Sequence, residues 1–163
     1  MLHSVYFQSP IGILYLTANE DFITGINFTE KKLEQQNQFS THHPVLQNCI
    51  NQLAKYFTGE HVFFHLNTLQ AGTTFQQKVW EELCRIKPGQ TISYLELSKR
   101  LGNTKAIRAA GTANGKNNIA IVVPCHRVIG SNSKLVGYAG GLWRKKWLLN
   151  HEAKYCNGQQ ELF

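Results

Sequence analysis

The apolar pattern of this 163-residue chain changes character around Gln70-Ala71-Gly72-Thr73. Before that point, HSVYFQS, GILYLTA and FITGINF are short β-branched and aromatic runs divided by Pro10-Ile11-Gly12 and Asn19-Glu20-Asp21. Such runs between turn residues predict an antiparallel meander, and VFFHL at 62–66 reads as one more strand. From Pro44, the residues Val45, Leu46, Cys49, Ile50, Leu53 and Phe57 recur at helical spacing, and Gly59 ends that helix. Beyond Thr73 the helical period takes over. Phe75, Val79, Trp80, Leu83 and Ile86 mark one side of a helix over 74–86, stopped by Lys87-Pro88-Gly89. The chain therefore reads as α+β, a small sheet-and-helix domain over 1–70 followed by a mostly helical domain over 71–163.

Ser93-Tyr94-Leu95-Glu96 fits the S-x-x-E capping box and starts a short helix that breaks at Gly102-Asn103. A second helix, TKAIRAAGTAN, follows at once. Ala106, Ala109, Ala110 and Ala113 make a narrow face of small residues, with Lys105, Arg108 and Thr112 largely opposite. Two short helices around a glycine turn predict a winged-helix-like helix-turn-helix, although an ordinary αα-corner has the same local pattern. Charge favours the former. Residues 71–152 hold thirteen Lys/Arg against four Asp/Glu, a net +9, whereas residues 1–70 carry −2. Asymmetry of that size points to a polyanion, nucleic acid above all, as the partner of the second segment.

Cys49, Cys84, Cys125 and Cys156 are widely spaced, with no C-x-x-C pair, so a reducing compartment and no thiol zinc site are expected. His42, His43, His61 and His65 add no standard ligand spacing, and no metal is expected. Cys49 and Cys84 read as structural, and Trp80, Trp143 and Trp147 as packing. No apolar run is long enough to span a bilayer, and MLHSVYFQSPIG lacks the basic and apolar regions of a secretory signal. The expected location is the cytoplasm, or the nucleus in a eukaryote.

In IVVPCHRVIG, residues 121–130, an apolar run stops at Pro124 and presents a thiol, an imidazole and a guanidinium in succession. Cysteine is often a small buried hydrophobe, but this context is specific. ISYLELSKRLGNTKAIRAAGTANGKNN, IVVPCHRVIG and GYAGGLWRKKWLLNHE agree in order and spacing with the C-terminal domain of the O6-alkylguanine-DNA alkyltransferases. The segment 75–152 resembles that family closely, and residues 1–70 resemble its N-terminal domain more weakly.

The resemblance implies roles. Cys125 takes the alkyl group from O6 of a damaged guanine, and O4 of thymine is a second expected target. His126 draws off the thiol proton through a water, and Glu152 orients the imidazole. Tyr94 helps rotate the nucleotide and binds the base, and Arg108 fills the gap left in the duplex. Lys105 and Thr112 share the DNA-facing side. Asn117 steadies the turn beside the cysteine, while Val128, Tyr138, Ala139 and Gly140 belong to the base pocket. Many relatives have Ser where Ala139 stands, and the implied contact there is through the main chain. The protein is expected to need no cofactor, to act as a monomer that can bind cooperatively, and to approach double-stranded DNA from the minor groove.

The chemistry fits these roles. A thiolate is the natural soft nucleophile for an O-alkyl carbon, a free thiol is mostly protonated at neutral pH, and an adjacent base removes the proton. The product thioether has no hydrolysable bond, so one molecule acts once. A lesion-binding relative without chemistry, a DNA-binding regulator and a cysteine hydrolase are the rival readings: the first carries another residue where Cys125 stands, the second leaves PCHR and Glu152 unexplained, and the third normally draws its base from far along the chain and needs an oxyanion hole that nothing here marks. The final residues QQELF look like peptides that dock on a replication sliding clamp, with Gln159, Leu162 and Phe163 as the contacts. A frayed polar terminus is the competing reading.

Overall fold

The computed structural model describes residues 1–32, 36–158 and 163. It divides into two compact units, 1–70 with 118–122, and 71–117 with 123–163. The run IAIVV, assigned from sequence to the second domain, is thus shared, because Ile119 bridges Ile26 and Ala120 donates to the Ile26 carbonyl.

In the first unit, β1 (His3–Ser9), β2 (Gly12–Ala18) and β3 (Ile23–Thr29) form an antiparallel sheet in the order β1-β2-β3. Its register sets Val5 against Leu16 and Leu16 against Ile26. Alternation along β2 buries Leu14, Leu16 and Ala18 on one face. Helix α1 (Pro44–Thr58) packs Leu46, Cys49, Leu53, Tyr56 and Phe57 into that core. Gly59 closes α1 at φ 77°, in the left-handed region that favours glycine. The strand expected over 62–66 does not form. That segment runs without ladder bonds, and only Thr68 bridges Ile23. Its Val62, Phe63 and Phe64 carry the aromatic and branched side chains of a strand, but the Tyr56 ring packs against Phe64 at a tilt (5.3 Å) and Gln52 holds both backbone groups of His65. Side chains of α1 thus engage this segment.

The second unit begins with α2 (Thr74–Leu83), whose cap is a complete capping box between Thr73 and Gln76. Trp80 Nε1 donates to the Ala113 carbonyl at 2.9 Å, tying α2 to α4 (Ile107–Gly115). Between them, β4 (Ile92–Ser93) leads into α3 (Tyr94–Arg100), capped by Ser93 accepting from Glu96 N. The Glu96 carboxylate pairs with Arg100 instead of closing the box. Gly102 turns the chain at φ 80° towards α4. Helix α4 buries Ala110, Ala113 and Asn114, while Ala109, expected in the packed face, is exposed beside Arg108 and Thr112. β5 (Val128–Ile129) pairs in parallel with β4, and α5 (Leu142–Asn157) follows. Cys84 is exposed at the end of α2 and Trp143 is 58% exposed, so neither has the packed role expected of it. Gln159 and Leu162 lie outside the described residues. The backbone N–H of Phe163 donates to the Asn150 side chain at 2.9 Å.

Ile121 is a fully buried β-branched residue at φ 71°, where Val122 N donates to Ala120 O at 2.8 Å. That is the γ-turn with positive φ, a strained conformation costing roughly 1–3 kcal/mol for a non-glycine residue. Ile119 is equally buried without that strain. Ile121→Gly is therefore expected to destabilise the protein by about 1–3 kcal/mol less than Ile119→Gly. Urea unfolding of both variants measures the difference.

Candidate active site

The approach to Cys125 is fixed by backbone geometry. Pro124 has φ −84° and ψ 63°, and Cys125 N donates to Val123 O at 2.9 Å, an inverse γ-turn. A single 3-10 turn, Cys125–Arg127, then runs into β5. Pairing of Ile92 with Val128 sets the start of α3 beside this turn, so Tyr94 and Cys125 line the same pocket. The pocket is about 120 Å³, and its walls are Tyr94, Gly111, Asn114, Gly115, Asn117, Cys125, Gly137, Tyr138 and Ala139.

Beneath the pocket lies a buried charge cluster. Glu152 of α5 accepts from His126 Nε2 at 2.9 Å, from Arg127 Nε at 2.8 Å and from Arg127 Nη2 at 2.9 Å. Arg127 Nη1 donates to the Ile86 carbonyl. His126 and Glu152 are fully buried and Arg127 nearly so. Burial opposes the charge on Glu152, yet the positive partners and their hydrogen bonds hold its carboxyl well below the usual range. Burial lowers the pKa of His126, against the pull of Glu152, and the charges of Arg127 and Lys145 lower it further. The imidazole is therefore neutral, and the carboxylate charge is matched by Arg127. An ionised carboxylate only accepts, so Nε2 carries the proton and Nδ1 keeps its lone pair. Nδ1 is buried with no hydrogen-bond partner. A neutral imidazole with a fixed tautomer and an unoccupied lone pair is a base in waiting.

Cys125 is buried, and burial pushes its thiol pKa up, while the Asn117 amide and the Lys145 charge pull it down. The resting sulfur is thus a thiol. Asn117 Nδ2 also donates to the Val123 carbonyl at 2.8 Å, bracing the turn ahead of the cysteine. Burial and the nearby Cys125 raise the pKa of Tyr94, keeping it a proton donor, and its hydroxyl bonds the Val136 carbonyl at 3.3 Å. Tyr138 stands edge-on to the His126 ring at 6.5 Å, and burial holds its hydroxyl protonated.

Of the residues expected at the pocket, Asn117, Tyr138, Ala139 and Tyr94 line it. Val128 and Gly140 do not. The Val128 carbonyl accepts from Lys145 Nζ at 2.7 Å, and the Gly140 carbonyl from Arg144 at 3.1 Å. Arg108 and Thr112 are exposed along α4, whereas Lys105, expected in the same helix, is exposed in the turn ahead of it. Two residues escaped the sequence reading. Asn114, buried on α4, donates to the Cys125 carbonyl at 3.3 Å. Lys145 is fully buried and also donates to the carbonyls of Val136 (2.9 Å) and Gly137 (3.1 Å), pinning the loop that forms one pocket wall. Burial lowers its pKa to about 8, against the pull of Cys125 towards the charged form. Its place inside Arg144-Lys145-Lys146 looks like a solvated basic run, so no local signal marks it.

A nucleophile-bearing pocket over a carboxylate-held imidazole, on a helical unit with an exposed basic helix, defines a cysteine-dependent group-transfer class. Two family models match the chain, the 6-O-methylguanine DNA methyltransferase ribonuclease-like domain over 1–70 and the DNA binding domain of the same family over 74–154. The chain is 42% identical over 153 residues to a methylated-DNA–protein-cysteine methyltransferase of Methanosarcina acetivorans, covering 93% of this chain and 98% of that protein. It is 41% identical over 164 residues to the Mycobacterium tuberculosis protein of that name, covering 100% and 99%. The crystal structure of M. tuberculosis O6-methylguanine methyltransferase superposes with a TM-score of 0.84 at 40% identity, covering 96% of this chain and 95% of that one. A structure of the M. tuberculosis protein in complex with DNA gives the same TM-score over 94% of each chain. The chain belongs to the 6-O-methylguanine DNA methyltransferase family.

Removing the Glu152 charge tests the cluster. Glu152→Gln leaves Arg127 buried without its counter-charge and is expected to cost about 3–5 kcal/mol of unfolding free energy. The folded carboxyl titrates below its unfolded value of about 4.3, so its contribution is complete above that pH and is lost as pH falls towards the folded pKa. Urea midpoints from pH 7 to pH 3 should fall more steeply for wild type than for the variant.

Proposed function

We propose that the protein repairs DNA by transferring an alkyl group from O6 of guanine to its own Cys125, once and irreversibly. The observation that carries this reading is the pocket thiol beside a neutral His126 whose tautomer Glu152 holds. The Cys125 proton passes through a water to His126 Nδ1, and the sulfur attacks the alkyl carbon. The carbon–oxygen bond breaks as the carbon–sulfur bond forms, and the departing guanine takes a proton from Tyr94, which His126 in turn restores. Burial disfavours a standing thiolate, so proton removal accompanies base entry.

Base entry requires the nucleotide to leave the stack, at a cost of a few kcal/mol. Arg108, exposed on α4, fills the gap in this reading, with exposed Thr112 on the same helix and exposed Lys105 in the turn ahead of it. The minor groove is about 6 Å wide and a dressed helix about 10–12 Å across. Ala109 and Gly111 leave the α4 backbone close to its surface, which suits that approach. In this reading α3 and α4 act as the helix-turn-helix, domains 1–70 and 71–163 divide support from chemistry, and Tyr94, Asn117, Tyr138 and Ala139 form the base site, with Val128 and Gly140 behind its wall. O4 of thymine is a second substrate. The protein works as a monomer in the cytoplasm without a cofactor, and no described helix is long and apolar enough to cross a membrane. Clamp docking through Gln159, Leu162 and Phe163 rests on the QQELF motif alone, and deleting Leu162 and Phe163 should abolish it.

Intact-mass measurement after exposure to an O6-methylguanine oligonucleotide tests the reaction. A gain of about 14 Da, one methylene, on Cys125 and none in Cys125→Ala is expected, with one event per molecule. Repeated turnover, or binding without mass gain, would replace the proposal with a hydrolase or a lesion-binding protein. Arg108→Ala should slow transfer from duplex DNA at least tenfold, on the order of 1.4 kcal/mol, and leave transfer from the free base nearly unchanged. Equal slowing with both substrates would remove Arg108 from the flipping step.

A further inference from the structure

Helix α4 has two working faces. Arg108 and Thr112 are exposed along it, while Ala110, Ala113 and Asn114 are buried. Asn114 is 5% exposed, yet it lines the pocket with Tyr94, Gly111 and Cys125. Its Nδ2 donates to the Cys125 carbonyl at 3.3 Å. The Tyr94 ring lies one turn back on the same helix, where a Cβ at Gly111 would stand 3.6 Å from Tyr94 Cδ1 and 3.7 Å from Cε1. Beyond the ring, the Asn114 side chain hydrogen-bonds the Tyr94 hydroxyl. Trp80, donating to the Ala113 carbonyl at 2.9 Å, fixes the helix at this point.

The bond between Asn114 and Tyr94 has a direction. It favours the ionised phenol, against burial, so the amide donates and the phenol oxygen accepts. The amide oxygen Oδ1 is buried with no hydrogen-bond partner, which assigns both contacts to Nδ2. A buried acceptor without a partner costs stability. Leucine has a similar size and avoids that cost, so packing alone does not account for an asparagine here. The Tyr94 hydroxyl gives its own proton to the Val136 carbonyl at 3.3 Å.

We infer that Asn114 is a positioning residue for alkyl transfer, one amide that sets the Tyr94 proton donor and the Cys125 backbone against the same bound base. This rests on the reaction proposed above and adds a residue to it. As the Tyr94 O–H bond breaks, its proton goes to the departing guanine and the electron pair stays on the phenol oxygen. The Asn114 N–H faces that oxygen and stabilises the transient phenolate until His126 restores the proton. Because Asn114 and Arg108 share α4, the helix that meets DNA also sets the reacting groups.

The test is single-turnover transfer from an O6-methylguanine duplex, read by intact mass in wild type, Asn114→Leu, Tyr94→Phe and the double variant. Asn114→Leu should slow wild type at least about tenfold and slow Tyr94→Phe no more than about twofold. The Cys125 carbonyl keeps the Val128 N–H in Asn114→Leu, so its melting temperature should stay within about 4 °C of wild type. NMR of the Asn114 side-chain amide reads the contact without any reaction, and Tyr94→Phe should shift one of its two protons. Equal slowing by Asn114→Leu in both backgrounds, a wild-type rate, a melting temperature lower by more than about 10 °C, or an amide unmoved in Tyr94→Phe would each overturn the role. No transfer by wild type would instead fail the alkyl-transfer reading itself, and this role with it.

Discussion

The Glu152 carboxylate accepts hydrogen bonds from His126 and twice from Arg127 in a fully buried site, and the proposed alkyl transfer depends on them. Two come from Arg127, which supplies the counter-charge that a buried anion requires. With that charge matched, the third bond is free to do something else. It fixes the His126 proton on Nε2 without turning the imidazole into an imidazolium. An isolated His–Glu pair in the same place would share charge between its members, and the base would be occupied. Arg127, whose chain number puts it next to the working residues, thus keeps His126 available by satisfying Glu152.

Basic residues serve two separate ends in this chain. Arg127, Arg144 and Lys145 are buried and organise the site, so only part of the +9 of residues 71–152 faces outward. Lys145 takes three carbonyls, two from the loop that walls the pocket, and its charge also eases ionisation of Cys125. The exposed remainder, including Arg108 on α4 and Lys105 and Lys116 at its two ends, is what a phosphate backbone can meet. Counting charges by segment points to the right partner but overstates the surface charge offered to it.

Local signals were legible where a residue type has one dominant reason to be present. The alternation of β2, the Ser93 cap, and the glycine stops at Gly59 and Gly102 could all be read directly. So could Cys125-His126 and the distant Glu152, through the motif they share with a known family. The strand expected at 62–66 fails because its aromatic run is engaged by side chains of α1, which no local pattern records. Ala109 was assigned to a packed face because alanine is neutral between core and surface. Lys145 was invisible because a buried lysine with three carbonyl partners has the same sequence signature as a solvated one.

The protonation state of His126 is the point on which the account turns, and nitrogen NMR of the labelled imidazole reads it directly. The account predicts a neutral ring from pH 7 to pH 8, protonated at Nε2 and bare at Nδ1, with Glu152→Gln disturbing that preference. An imidazolium at neutral pH, or a proton resting on Nδ1, would contradict it.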